Sequence, residues 1–211
     1  MKKFLLKATI IFSSLMIFAT PASALTAPIA VYREGGTLNP FEHAGVYKAD
    51  NQYYEIKGYN HTIEISTWAS FIDGKSGAYW RNNPSVDSYR SSILSTLASL
   101  DADPGITYTM YDQLNYESNP GTYVNVSEIS DIRCDGVVEY AYEWNNVWVW
   151  GKSSTGTSSG TPTHFDISYT SYVSEHANLG EDEPWIEVSP KVQRGGSSAS
   201  EPWKWTQFRA D

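Results

Sequence analysis

Between residues 31 and 69 apolar and polar side chains alternate, and the alternation predicts strands at 43–48, 52–57 and 62–68. Turn chemistry separates them at Ala49-Asp50-Asn51 and Gly58-Tyr59-Asn60, so the three read as an antiparallel meander. The period then changes. Val86, Tyr89, Ile93, Leu97 and Leu100 recur at helical spacing, with Ser85 as N-cap and a stop before Pro104-Gly105. A second helix is predicted over about 131–145, where Cys134, Val138 and Ala141 share one face with Val137 and Trp144 beside them. Asp135, Glu139 and Glu143 point elsewhere, and Ser130 or Asp131 serves as cap. Residues 147–150 read as a strand, 153–161 as a Ser/Thr/Gly surface connection, and 165–173 and 185–188 as short strand-like runs. The class implied is α+β, an antiparallel sheet packed against helices.

The chain opens with Lys2, Lys3 and Lys7, an apolar run over 8–19 and the small-residue sequence Ala22-Ser23-Ala24, the pattern of an export signal cleaved after Ala24. That run is shorter than the ~20 residues a bilayer-spanning helix needs, and no later stretch comes close. The expectation is a signal peptide at 1–24 and one domain at 25–211, secreted or held in the periplasm or cell wall. The formal net charge of −9 becomes more negative once the three leader lysines are gone. An acidic domain repels phosphate backbones and anionic membrane surfaces, so a nucleic-acid partner is disfavoured, while neutral and cationic polymers remain acceptable. Aromatic content is high, with 8 Trp and 15 Tyr, whose faces stack on sugars or fill a β-rich core. For most of them, Trp144, Trp148 and Trp150 included, core packing is the better reading.

Cys134 is the chain's single cysteine, so it cannot belong to an internal disulfide. It is a small buried apolar residue, an intermolecular bridge or a nucleophile, and its setting in the first turn of a predicted helix favours the last. There, unpaired backbone N–H groups and the helix dipole favour a thiolate. A cysteine hydrolase also needs an imidazole to move the proton and a polar group to orient that imidazole. Of the four histidines, His43 has the best context, at the start of a strand with small neighbours. His61 sits in a turn, and His164 and His176 lie in polar sequence. The histidines are scattered and one cysteine makes no thiolate cluster, so neither a metal site nor a cofactor is implied.

Residues 134–140, Cys-Asp-Gly-Val-Val-Glu-Tyr, and residues 43–47, His-Ala-Gly-Val-Tyr, together resemble the two motifs of the NlpC-like cysteine peptidases and amidases, which have a papain-like fold. In that family the cysteine starts a helix in a Cys-Ser-Gly-Leu-Val sequence followed by Tyr, and the histidine starts a strand reading His-Val-Gly-Ile-Tyr. The family's third polar residue lies on the next strand, which here is similar to Glu55 in Tyr53-Tyr54-Glu55-Ile56. Histidine precedes cysteine in this chain, the order of the circularly permuted branch that includes the YiiX-like and lecithin retinol acyltransferase-like proteins. The resemblance covers about 43–145, and residues from Lys152 onward lie outside it. Asp135 stands where the family often has Ser, and it adds a negative charge near the thiol.

The resemblance implies a secreted cysteine hydrolase that cleaves an amide or ester, with Cys134 as nucleophile, His43 as general base and acid, and Glu55 as the orienting group. Cell-wall peptidoglycan peptides are the first substrate expected. Acyl lipids are the alternative within the same fold, and a non-catalytic module that binds wall fragments is an alternative of another class. The Glu55 role makes a structural demand. In a hairpin with an Asp50-Asn51 turn and no irregularity, position 43 faces 58 and Glu55 points to the opposite side of the sheet. An odd loop or a bulge brings Glu55 onto the face of His43; otherwise Glu64 and Asn60 are the next candidates.

Overall fold

The computed structural model describes residues 25–35, 42–75, 77–82, 84–110, 113–116, 124–145, 147, 190–193 and 206–210. Its strands are β1 (Ile29–Arg33), β2 (His43–Ala49), β3 (Gln52–Glu55), β4 (Glu64–Ser66), β5 (Ala78–Asn82), β6 (Thr107–Tyr108), β7 (Leu114–Tyr116), β8 (Ile129–Ile132) and β9 (Thr206–Ala210). Its longer helices are α1 (Trp68–Ile72), α2 (Arg90–Ala102) and α3 (Cys134–Glu143). The principal sheet runs β4-β3-β2-β1-β5-β9 with every neighbouring pair antiparallel. A small second sheet, β6-β8-β7, joins a parallel and an antiparallel pair. The architecture is α+β. Among the described residues no helix is long and apolar enough to cross a membrane.

Both faces of the principal sheet are covered, and this explains β1, which the alternation rule passes over. All five of its residues are buried, so it reads as a continuous apolar run without a period of two. On one face Ala30, Tyr32, Ala44, Val46 and Tyr54 join a core with Ile93, Leu97 and Leu100 of α2 and Val137, Val138 and Ala141 of α3. On the other, Ile29, Val31, Tyr47, Tyr53 and Trp80 pack with Phe71 of α1. Tyr53 and Phe71 stack with centroids 5.5 Å apart.

Four expectations need correction. The strand expected at 62–68 is shorter: β4 ends at Ser66, and the Thr67 side chain then accepts a hydrogen bond from the Ser70 N–H at 3.3 Å, capping α1. Ser85 does not cap α2. It lies in a 3₁₀ turn, Pro84–Ser88, and α2 begins at Arg90 with Tyr89 at the N-cap, ending at Ala102 before Pro104. Ser130 and Asp131 do not cap α3 either. They belong to β8, where Asp131 faces Thr107 and Asn115 in the ladders, and the helix starts only at Cys134 with Arg133 at the N-cap.

The fourth correction concerns the polar face of α3. All ten of its residues are buried, Asp135, Glu139 and Glu143 included, because the helix is enclosed rather than laid on the surface. Two of its acids, Asp135 and Glu139, are matched from within. Arg133 Nε and Nη2 donate to Asp135 at 2.7 and 2.8 Å. Gln113 and Gln193 donate to Glu139 at 3.0 and 2.8 Å. Gln193 comes from a helical turn, Pro190–Gln193. The expected elements at 148–150, 153–161, 165–173 and 185–188, the leader at 1–24, and His164, His176, Trp148 and Trp150 lie outside the described residues.

Candidate active site

Two local devices place His43 and Glu55 on one side of the sheet. In the β2/β3 hairpin Ala49 faces Gln52 around the Asp50-Asn51 turn, but Tyr47 faces Tyr53 and Val46 faces Tyr54. Lys48 is the extra residue of a bulge, and it shifts the ladder by one so that Glu55 lies on the face of His43. Asn51, at φ 55°, takes the left-handed conformation in the turn, one that Asn tolerates better than most residues. The result is a hydrogen bond between His43 Nε2 and Glu55 Oε2 of 2.7 Å, with both residues buried.

Gly45, between them in the motif, is required for the same packing. A Cβ there would meet the Tyr54 carbonyl oxygen at 2.7 Å and the Phe71 ring at 2.8 Å. Phe71 also lies beside the imidazole, with centroids 5.4 Å apart.

Cys134 is the first residue of α3, and its position depends on Gly136. A Cβ at 136 would meet the Gln113 carbonyl oxygen at 2.1 Å and Ile132 at 2.9 Å, so only glycine lets the first turn sit this close to the strand edge. The same carbonyl accepts the Arg133 N–H at 3.0 Å, which fixes the entry of the helix. The cysteine is 5% exposed and lies near enough to the His43 imidazole to influence its charge. Three residues from three elements therefore meet, although 91 positions in sequence separate His43 from Cys134. The acid at 135 is neutralised by Arg133 rather than left facing the thiol.

The electrostatics favour a charged pair. Burial is the largest influence on His43 and opposes protonation, but the charge and hydrogen bond of Cys134 and of Glu55 together outweigh it and raise the imidazole to about 9. Burial is also the largest influence on Glu55 and opposes its ionisation. The hydrogen bond and charge of His43, with the charge of Lys57, prevail, holding the carboxyl below its ordinary value. Lys57 Nζ stands 3.9 Å from Glu55 Oε1 and also pairs with Glu64, which faces Glu55 across the β3/β4 ladder. Glu64 and Asn60 thus do not occupy the third position. His61 is exposed in the turn, its N–H bonded to the Gly58 carbonyl at 3.0 Å.

Three neighbours of the site were not legible in the sequence. Tyr108, at the end of β6, lies near the thiol. Burial first, then the charges of Cys134 and Asp135, push its phenol up to about 12, so it stays protonated. Tyr59, 59% exposed, meets the Tyr108 ring edge-on at 5.9 Å. Arg33 faces His43 directly in the β1/β2 ladder. These positions depend on long-range pairing, which no local pattern encodes. Trp144 stacks on Tyr140 at 5.6 Å and lines a separate cleft of about 460 Å³ with Ser95, Ser99 and Asn125. Among the described residues no three His, Cys, Asp or Glu side chains converge as metal ligands. Comparison with protein-family models, with curated proteins and with solved structures finds no match to this chain.

Proposed function

We propose that the chain is a cysteine hydrolase of permuted papain-like fold, cleaving an amide or ester through an acyl-enzyme on Cys134. The observation that supports it most is the imidazole held between a buried carboxylate and a thiol at a helix N-terminus. Because Glu55 occupies His43 Nε2, the proton exchanged with the thiol is carried on Nδ1. His43, protonated at neutral pH, already holds that proton when Sγ attacks the carbonyl carbon, and the oxyanion formed is received by the backbone N–H of Cys134, which has no partner within the helix. The imidazolium then gives the proton to the leaving amine or alcohol as the C–N or C–O bond breaks. In the second half His43 takes a proton from water, the hydroxide adds to the thioester, and the thiolate leaves with the acid product. Glu55 makes no bond. It keeps the ring oriented and stabilises its charged form.

The substrate proposed is a peptide amide of cell-wall peptidoglycan, consistent with the export leader expected at 1–24 and with an acidic chain that disfavours nucleic-acid partners. Purified protein is incubated with muropeptides and with acyl esters, and products are read by mass spectrometry. Cleavage by the wild type and none by Cys134→Ala supports the reading. A wild type that leaves both substrates intact while holding muropeptides tightly would replace it with a non-catalytic wall-binding module.

A further inference from the structure

Arg33 closes β1 opposite His43, and residues paired in this way carry side chains on one face with Cβ atoms roughly 4.5–5.5 Å apart. Its neighbour on the other flank is Ala78, whose methyl group has no polar atom to offer. The arginine is only 8% exposed, and its Nε and Nη1 are fully buried without a hydrogen-bond partner. A buried cation with unmatched donors costs the fold stability, and an apolar side chain of similar length would serve packing better. Among the described residues no acid forms an ion pair with it. Glu55 is engaged by His43 and Lys57, Asp135 by Arg133, and Glu34 accepts from the Tyr79 hydroxyl at 2.6 Å. The same chain shows at Arg133 what a structural arginine looks like, with two donors on one carboxylate.

We propose that Arg33 is the specificity residue of this site and receives a carboxylate of the substrate beside the bond that Cys134 attacks. The inference rests on the hydrolase reading and sharpens it: the substrates are peptides or acyl amino acids with a free carboxylate next to the scissile amide, and neutral acyl lipids are excluded. A guanidinium presents planar, charge-assisted donors that suit a carboxylate.

Alkylation of Cys134 tests this with a matched pair of reagents, iodoacetate and iodoacetamide, which differ in carrying a carboxylate or a neutral amide. Relative to a free thiol, the wild type should prefer iodoacetate by about 10-fold or more, with saturation. Arg33→Met should lose that preference and melt no lower than wild type. Arg33→Lys, which keeps the charge without the planar fork, should fall between. A second measurement is independent of the thiol: N-acetylglycine should shift the Arg33 Nε–H resonance, and N-acetylglycinamide should not. Equal reagent preferences in wild type and Arg33→Met overturn the proposal, as do equal shifts with the amide or with inorganic phosphate. A marked loss of stability in Arg33→Met also overturns it, since that identifies a structural arginine. If Cys134 is inert to both reagents while N-acetylglycine still shifts Arg33, the hydrolase reading fails and the carboxylate site stands.

Discussion

His43 carries the chemistry of the site in a single titration. Glu55 holds its Nε2, and the charges of Cys134 and Glu55 both favour the imidazolium, so the ring titrates near 9 in spite of burial. The general acid that the proposed hydrolysis needs is thus present at neutral pH, and it is lost as pH rises through that value. Glu55→Gln keeps an acceptor for Nε2 but removes a charge that raises the imidazole. The His43 ring followed by NMR should then titrate lower, and the alkaline limb of kcat/KM should move down by the same amount. Turnover at neutral pH should fall less than in Cys134→Ala, which removes the nucleophile. An unmoved His43 titration in Glu55→Gln would mean that the carboxylate is a packing residue.

At the scale of elements, the two motifs are legible in the sequence because each states a steric need as well as a chemical one. Gly136 marks where α3 meets a backbone carbonyl, and a Gly136→Ala methyl would overlap that oxygen. Overpacking against backbone has no flexible side chain to yield, so the variant should lose about 3 kcal/mol or more in urea unfolding, together with the Cys134–His43 contact. A native-like midpoint would show that the helix can slide. Less legible is the hairpin bulge, since nothing in the local pattern says whether Lys48 pairs or protrudes. Its removal leaves Tyr47 opposite Tyr53 and Val46 opposite Tyr54. Deleting Lys48 should therefore preserve the His43–Glu55 bond and the titration near 9, with only the Lys48 contact over the Tyr54 ring lost, about 0.5–1 kcal/mol. A titration that drops toward 6.5 would mean that the strand had slipped. The start of α3 escapes the local pattern for a related reason: Ser130 and Asp131 have the chemistry of caps, but pairing with β6 and β7 claims them for a strand.

Across the whole molecule, the acids of α3 tie the site to residues far along the chain. A helix with Asp135, Glu139 and Glu143 reads as amphipathic, and the inference fails because polar partners arrive from elsewhere to enclose it. Gln193 is one such partner. Its Nε2 donates to the carbonyl of Asp135, the residue after the nucleophile, at 3.1 Å and to Glu139 at 2.8 Å. Glu139 and Asp135 in turn face Tyr32 of β1, whose phenol is pushed up by burial and then by the charges around it. β9 adds an antiparallel neighbour to β5 at the far edge of the principal sheet. Residues 190–193 and 206–210 are thus built into this fold even though they lie outside the stretch with recognisable motifs. Gln193→Ala leaves Glu139 with one fewer donor and should cost about 1.5–3 kcal/mol, the worth of a hydrogen bond to a charged group. A chain ending at residue 189 loses that bond and β9 together, so its melting temperature should fall further than in Gln193→Ala. Its Cys134 should also lose its dependence on His43, measured as equal iodoacetamide rates with and without His43→Ala. A truncated chain that melts with the full-length protein would show that the sheet and α3 close without the C-terminal segment.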